Sequence, residues 1–140
     1  VGRGYGQCGL IYRAARLYRK ERTKMSDETL DMSIVAVLQR IKKVGFFPNL
    51  VDVFEEDSKR LLGVIKENIE AGETKALEES AHSLKSASSS IGAARVAEIA
   101  SDLEQLGESG TVDGGAEKWD ELNQRLTVAH KAFRDLLVPG

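Results

Sequence analysis

His82 and Lys85 stand three residues apart in the run Ala81-His82-Ser83-Leu84-Lys85-Ser86-Ala87-Ser88-Ser89-Ser90-Ile91-Gly92-Ala93. At about 100° of turn per residue, Leu77, Ala81, Leu84, Ser88 and Ile91 fall on one stripe of a helix. Lys75, Glu78, Glu79, His82, Lys85, Ser86 and Ser89 fall on the opposite face. The spacing therefore predicts an imidazole held on a rigid helix and open to solvent. A neutral ring nitrogen is a nucleophile near pH 7, so such a histidine suits the carriage of a phosphoryl group. Lys85, one turn on, can meet the negative oxygens of that group with a charge-assisted hydrogen bond, and the small Ser86 and Ser89 leave the approach open. Glu78 and Glu79 are expected on the other side of the ring, where they would orient it or raise its pKa. The competing reading is a solvated surface histidine with no chemistry at all.

Other chemistry finds less support. Glu79-Ser80-Ala81-His82 has the E-x-x-H spacing of di-metal bundles, but that site needs a second such pair and inward carboxylates. The other histidine, His130, has Thr127 three positions before it and reads as a flanking helix residue. The single cysteine, Cys8, allows neither a disulfide framework nor a cysteine zinc site within one chain. No metal site is expected. Neither G-x-x-x-x-G-K-[ST] nor G-x-G-x-x-G occurs, so the sequence offers no phosphate-cradling loop, and any phosphoryl group must be brought by a partner.

The elements that must position His82 are helices. A chain of 140 residues, 41% hydrophobic and 30% charged with two prolines, is expected to be one soluble, helix-rich domain. Its apolar runs are too short to span a membrane and nothing resembles a signal peptide, so a cytoplasmic protein is expected. Charge is segregated: residues 1–24 hold seven Lys/Arg against one acid, and residues 25–140 hold thirteen against twenty-one. The basic, glycine-rich segment 1–24 reads as a linker or as upstream of a misassigned start at Met25, with a functional tail as the third possibility. Residues 25–140 are expected to form the helical bundle. No basic stripe interleaved with aromatics lies there, which argues against nucleic acid.

Leu30, Ile34, Val37, Leu38 and Ile41 predict a short first helix ending near Gly45, capped by Asp31 or Ser33. A second has Pro48 in its first turn and runs through Leu50, Val53, Phe54, Leu61, Val64 or Ile65, and Ile69 to Ala71-Gly72. Thr74 is the expected cap of the third, which carries His82 and ends between Ser88 and Gly92. Ala94, Ala97, Ile99, Ala100, Leu103 and Leu106 mark a fourth that stops at Gly107. A polar, glycine-rich loop, 108–115, precedes a fifth along Trp119, Leu122, Leu126, Ala129, Phe133 and Leu136. No segment alternates with period two. The expected fold is all-α: an antiparallel up-down four-helix bundle with a short additional N-terminal helix as a lid across one end.

The run 81–93 resembles the histidine-containing phosphotransfer (HPt) domain of bacterial two-component phosphorelays. The family pattern A-H-x-L-K-[GS]-x-[SA]-x-x-x-G-A is matched at His82, Leu84, Lys85, Gly92 and Ala93, with Phe54-x-x-Asp57, Ala71-Gly72-Glu73 and Leu103-Glu104 as flanking likenesses over roughly residues 28–138. The resemblance implies a four-helix bundle whose exposed histidine takes a phosphoryl group from a receiver-domain aspartate and passes it to another receiver. It makes His82 the phosphoacceptor, Lys85 the lysine beside the phosphoryl group, and Gly92 the glycine that ends the helix. Ser86 takes a position usually held by glycine, where smallness admits the receiver. Ser86, Ser89, Glu78, Glu79 and Lys75 then form the docking face. The implied partners are response-regulator receivers and a hybrid histidine kinase. The chain would be a monomeric phosphocarrier, not an enzyme, without a cofactor of its own and with Mg²⁺ supplied by the receiver. The alternative is a helical interaction module that binds receivers without transferring phosphate. A metal-dependent enzyme is the third class, against which the ligand count already speaks.

Overall fold

The computed structural model describes residues 29–137. The segment 1–24, with its reading as a linker or misassigned start, lies outside the described residues. Five helices and no strand occur among the described residues: α1 Met32–Gln39, α2 Phe46–Ala71, α3 Thr74–Ile91, α4 Ala94–Glu108 and α5 Gly115–Leu137. Helices α2 to α5 pack in a ring, each on its sequence neighbours and α5 back on α2, as an up-down bundle requires.

The four long helices bury their stripes because each faces two neighbours. Phe54 and Phe133 meet edge to face at 5.8 Å between ring centres, and Phe47 tilts against Phe133 at 6.4 Å. Ile65, Leu77, Leu84, Leu103, Leu122 and Leu126 fill the remainder of the core. The short α1 lies over the α3–α4 turn, where the amide of Asp31 donates to the Gly92 carbonyl at 2.7 Å.

Gly92 ends α3 with φ 88°, a left-handed conformation natural to glycine, while the Ala93 amide reaches back to the Ser88 carbonyl at 2.8 Å. The cap has a second function. A Cβ at Gly92 would lie 3.1 Å from the Asp31 carbonyl oxygen and 3.2 Å from Val35 Cγ2, so a larger residue would press on the start of α1 as well as strain the backbone.

Several expectations need correction. Helix α1 ends at Gln39 rather than near Gly45, and it buries Val35 while Val37 and Ile41 stay exposed. Asp31 caps it by accepting from the Ser33 amide. In α2, Val51 is buried and Val53 exposed, the reverse of the expected stripe. Thr74 is the first residue of α3 rather than its cap, and Glu73 precedes it without a side-chain cap bond. Gly107 does not stop α4. It is buried within the helix, which runs on to Glu108.

Candidate functional site

The roll of α3 is fixed from within. Leu77, Ala81, Leu84 and Ser88 have no exposed surface, and each large apolar side chain so buried contributes roughly 1.5–3 kcal/mol. Turning the helix to hide the imidazole would lift that stripe into water. His82 therefore keeps 59% of its side chain exposed.

The ring is nevertheless held. Its Nδ1 lies 2.8 Å from Oε2 of Glu104, on α4, and the other oxygen of that carboxylate lies 2.6 Å from Nζ of Lys85. One carboxylate grips the histidine and the lysine together. The Lys85 hydrogen bond, with a further one from His82, holds the Glu104 carboxyl below the usual carboxylate range despite partial burial. An ionised carboxylate only accepts, so Nδ1 donates and carries the proton. In the neutral ring the lone pair then belongs to Nε2, which has no hydrogen-bond partner among the described residues. The arrangement presents a nucleophilic nitrogen outward, a counter-charge behind it and an ammonium beside it.

Of the other expected site residues, Ser86 and Ser89 lie exposed on the same face, one and two turns beyond His82. Lys75 is exposed near the start of α3, two turns before the ring, and Gly92 is the buried cap already described. Glu79 is exposed and Glu78 half-buried, but neither makes a hydrogen bond or ion pair with His82 among the described residues. The expected orienting role of Glu78 and Glu79 passes to Glu104. No sequence spacing singles it out: Asp102 borders the same buried Leu103 and is exposed, and only the packing of α4 on α3 turns Glu104 toward the ring. Among the described residues no cluster of three or more His, Cys, Asp or Glu side chains could hold a metal ion.

His130 is more than a flanking residue. Its Nε2 lies 2.9 Å from the hydroxyl of the fully buried Ser58, and its ring stands edge-on to Phe54 at 5.8 Å. Burial pushes its pKa down, with Lys59 and Arg134 adding to the effect and Glu55 opposing it. It belongs to the α2–α5 seam rather than to the His82 site.

Residues 49–132, well over half of the chain, match the family model described as the Hpt domain. The chain belongs to the Hpt domain family. Hpt domains are phosphocarriers that work with receiver domains and histidine kinases, so this one has a phosphotransfer relay role in two-component signalling. Among solved structures it is similar to the histidine-containing phosphotransfer protein B (HptB) of Pseudomonas aeruginosa PAO1, at 27% identity and a TM-score of 0.74 over 79% of this chain and 95% of that one. A putative histidine-containing phosphotransfer protein from rice shares the fold at 21% identity and a TM-score of 0.72, over 89% of this chain and 92% of the other. Another such protein, from Medicago truncatula, does so at 23% identity and 0.70, over 88% and 86%. A search of the curated proteins finds no match. No helix of this Hpt domain's described residues is long and apolar enough to cross a membrane.

Proposed function

We propose that this Hpt domain accepts a phosphoryl group on Nε2 of His82 from the aspartyl phosphate of a receiver and passes it to the aspartate of a second receiver. The observation that supports the reading is the shared Glu104 carboxylate, which accepts from Nδ1, leaves the Nε2 lone pair facing outward and holds Lys85 within one turn of it. In the forward step the Nε2 lone pair attacks phosphorus. A P–N bond forms, the acyl P–O bond breaks, and the aspartate carboxylate leaves with the electron pair. The Nδ1 proton stays in its hydrogen bond to Glu104, whose negative charge offsets the charge the ring gains. Lys85 turns from Glu104 to the phosphoryl oxygens, exchanging one charge-assisted bond for another.

Transfer of this kind is mainly positioning and charge neutralisation, so a carrier needs only nucleophile, cation and access. In this reading the receiver brings Mg²⁺ and its acidic pocket, and a hybrid histidine kinase stands upstream. The carrier acts as a cytoplasmic monomer without ATP chemistry, and the transfer is reversible. The test is incubation with labelled receivers charged by acetyl phosphate, for the wild type and for His82→Gln. The wild type should take up label that is acid-labile and alkali-stable, as a P–N bond requires. His82→Gln should take up none while keeping its helical signal and unfolding midpoint, since an exposed side chain adds little to the core. Receiver binding without label would indicate an interaction module instead.

A further inference from the structure

We propose that Gly107 is a positioning residue of the phosphoacceptor site: by letting the backbones of α3 and α4 touch, it brings the Glu104 carboxylate within reach of His82 and Lys85. The proposal rests on the phosphotransfer reading for its consequence but not for its geometry. Gly107 lies one turn beyond Glu104 on α4, and it faces Thr74 and Glu78 in the first two turns of α3, with Glu78 one turn before His82. A Cβ at Gly107 would lie 2.6 Å from the Thr74 carbonyl oxygen, 2.7 Å from the Glu78 amide nitrogen and 3.1 Å from the Glu78 Cα. All three are backbone atoms, so no rotamer change can relieve the clash. Glycine is otherwise disfavoured inside a helix, and this contact supplies the reason for it. By contrast, a Cβ at Gly63, within α2, would meet nothing within 4 Å.

The closeness of the two backbones sets the reach of Glu104. Ordinary contact begins near 3.5 Å, so alanine at 107 would force the helices apart locally by roughly 0.8 Å. The same opening one turn along would stretch the His82–Glu104 contact from 2.8 Å to about 3.6 Å, beyond a hydrogen bond. The Nδ1 proton would lose its acceptor, and the ring would be released to the tautomer with Nε2 protonated and its nucleophilic lone pair blocked.

The test records the ring-nitrogen NMR of His82 in the full chain, at a pH where the ring is neutral. Transfer from a phosphorylated receiver and the thermal midpoint are measured alongside. The wild type should show Nδ1–H predominantly. Gly107→Ala should shift the ring toward Nε2–H and slow transfer about 10- to 100-fold, as an ångström-scale misplacement does. Gly63→Ala should change neither. The double variant Glu104→Ala/Gly107→Ala should transfer no more slowly than Glu104→Ala, because Gly107 acts through that carboxylate. A folded Gly107→Ala chain that keeps the Nδ1–H tautomer and the wild-type rate overturns the proposal, as does a double variant whose losses multiply. If Gly107→Ala does not fold, Glu104→Asp shortens the reach by one methylene on the native backbone. Loss of the Nδ1–H tautomer there supports the spacing argument, and its retention shows slack and overturns it. A wild type that shows the tautomer but takes up no phosphoryl group refutes the phosphotransfer reading alone, because the tautomer measurement needs no receiver.

Discussion

The Glu104 carboxylate bonds His82 through one oxygen and Lys85 through the other, so a change at any of the three is felt by the remaining two. Lys85→Ala removes the ammonium that would meet the phosphoryl oxygens. If that contact is made in the transition state it contributes about 1.5–3 kcal/mol, or a rate loss of about 10- to 150-fold. Single-turnover transfer from a phosphorylated receiver measures it, and a wild-type rate would reduce the lysine to a solvated charge. Glu104→Gln and Glu104→Ala separate geometry from charge. The glutamine oxygen still accepts from Nδ1–H but no longer offsets the ring's charge, whereas alanine removes both functions. The expected order of rates is wild type, then Glu104→Gln, then Glu104→Ala, and equal rates for all three would deny the carboxylate any part in transfer. Thermal stability should hardly move in any of these variants, since partly exposed ion pairs contribute on the order of 0–1 kcal/mol.

Between elements, the seam of α2 and α5 carries a second titratable group whose effect on stability has a definite sign. His130 is held neutral against Ser58 and Phe54, with its pKa pushed below the ordinary 6.5 by burial first of all. The unfolded chain takes up this proton at higher pH than the folded one. Stability is therefore fully present above about pH 6.5 and falls as pH drops through that value toward the lower folded one. Unfolding midpoints taken from pH 7.5 to 5 should decline for the wild type and decline less for His130→Gln, which cannot titrate. Parallel curves would show that the drop comes from elsewhere. The same seam shows what sequence periodicity can and cannot reveal. The stripes of α3 and α5 were legible because long helices facing two neighbours repeat their burial over many turns. Periodicity misleads at α1, because eight residues that meet the bundle at the Gly92 turn bury Val35 and leave Val37 in water. The Gly107 contact was illegible for a related reason: a glycine near a helix end looks like a stop until the neighbouring backbone is seen.

For the molecule as a whole, the bundle was readable from its four long stripes and short connections, and the outward placement of His82 and Lys85 from their position opposite the α3 stripe. The Glu104 contact was not readable, because it joins positions 22 residues apart that only the packing of α4 on α3 brings together. What the assembled surface adds is access. The α3 face from His82 through Ser86 to Ser89 is exposed, and a receiver that delivers a phosphoryl group to Nε2 has to seat itself over it. Position 86 lies about 40° round the helix from His82 and one turn above it. Ser86→Arg places a long cation where the receiver must come within bonding distance. The bundle should be indifferent, because an exposed substitution shifts stability by about 0.5 kcal/mol at most, or about 3 °C in midpoint for a domain of this size. Transfer from a phosphorylated receiver should fail at concentrations that saturate the wild type. Acceptance from a small donor such as phosphoramidate should persist, because the nucleophile and its Glu104 hydrogen bond are untouched. If receiver-dependent transfer is unchanged, docking does not cross this face. If both donors fail in a chain that still folds, position 86 acts on the chemistry of His82 rather than on the approach to it.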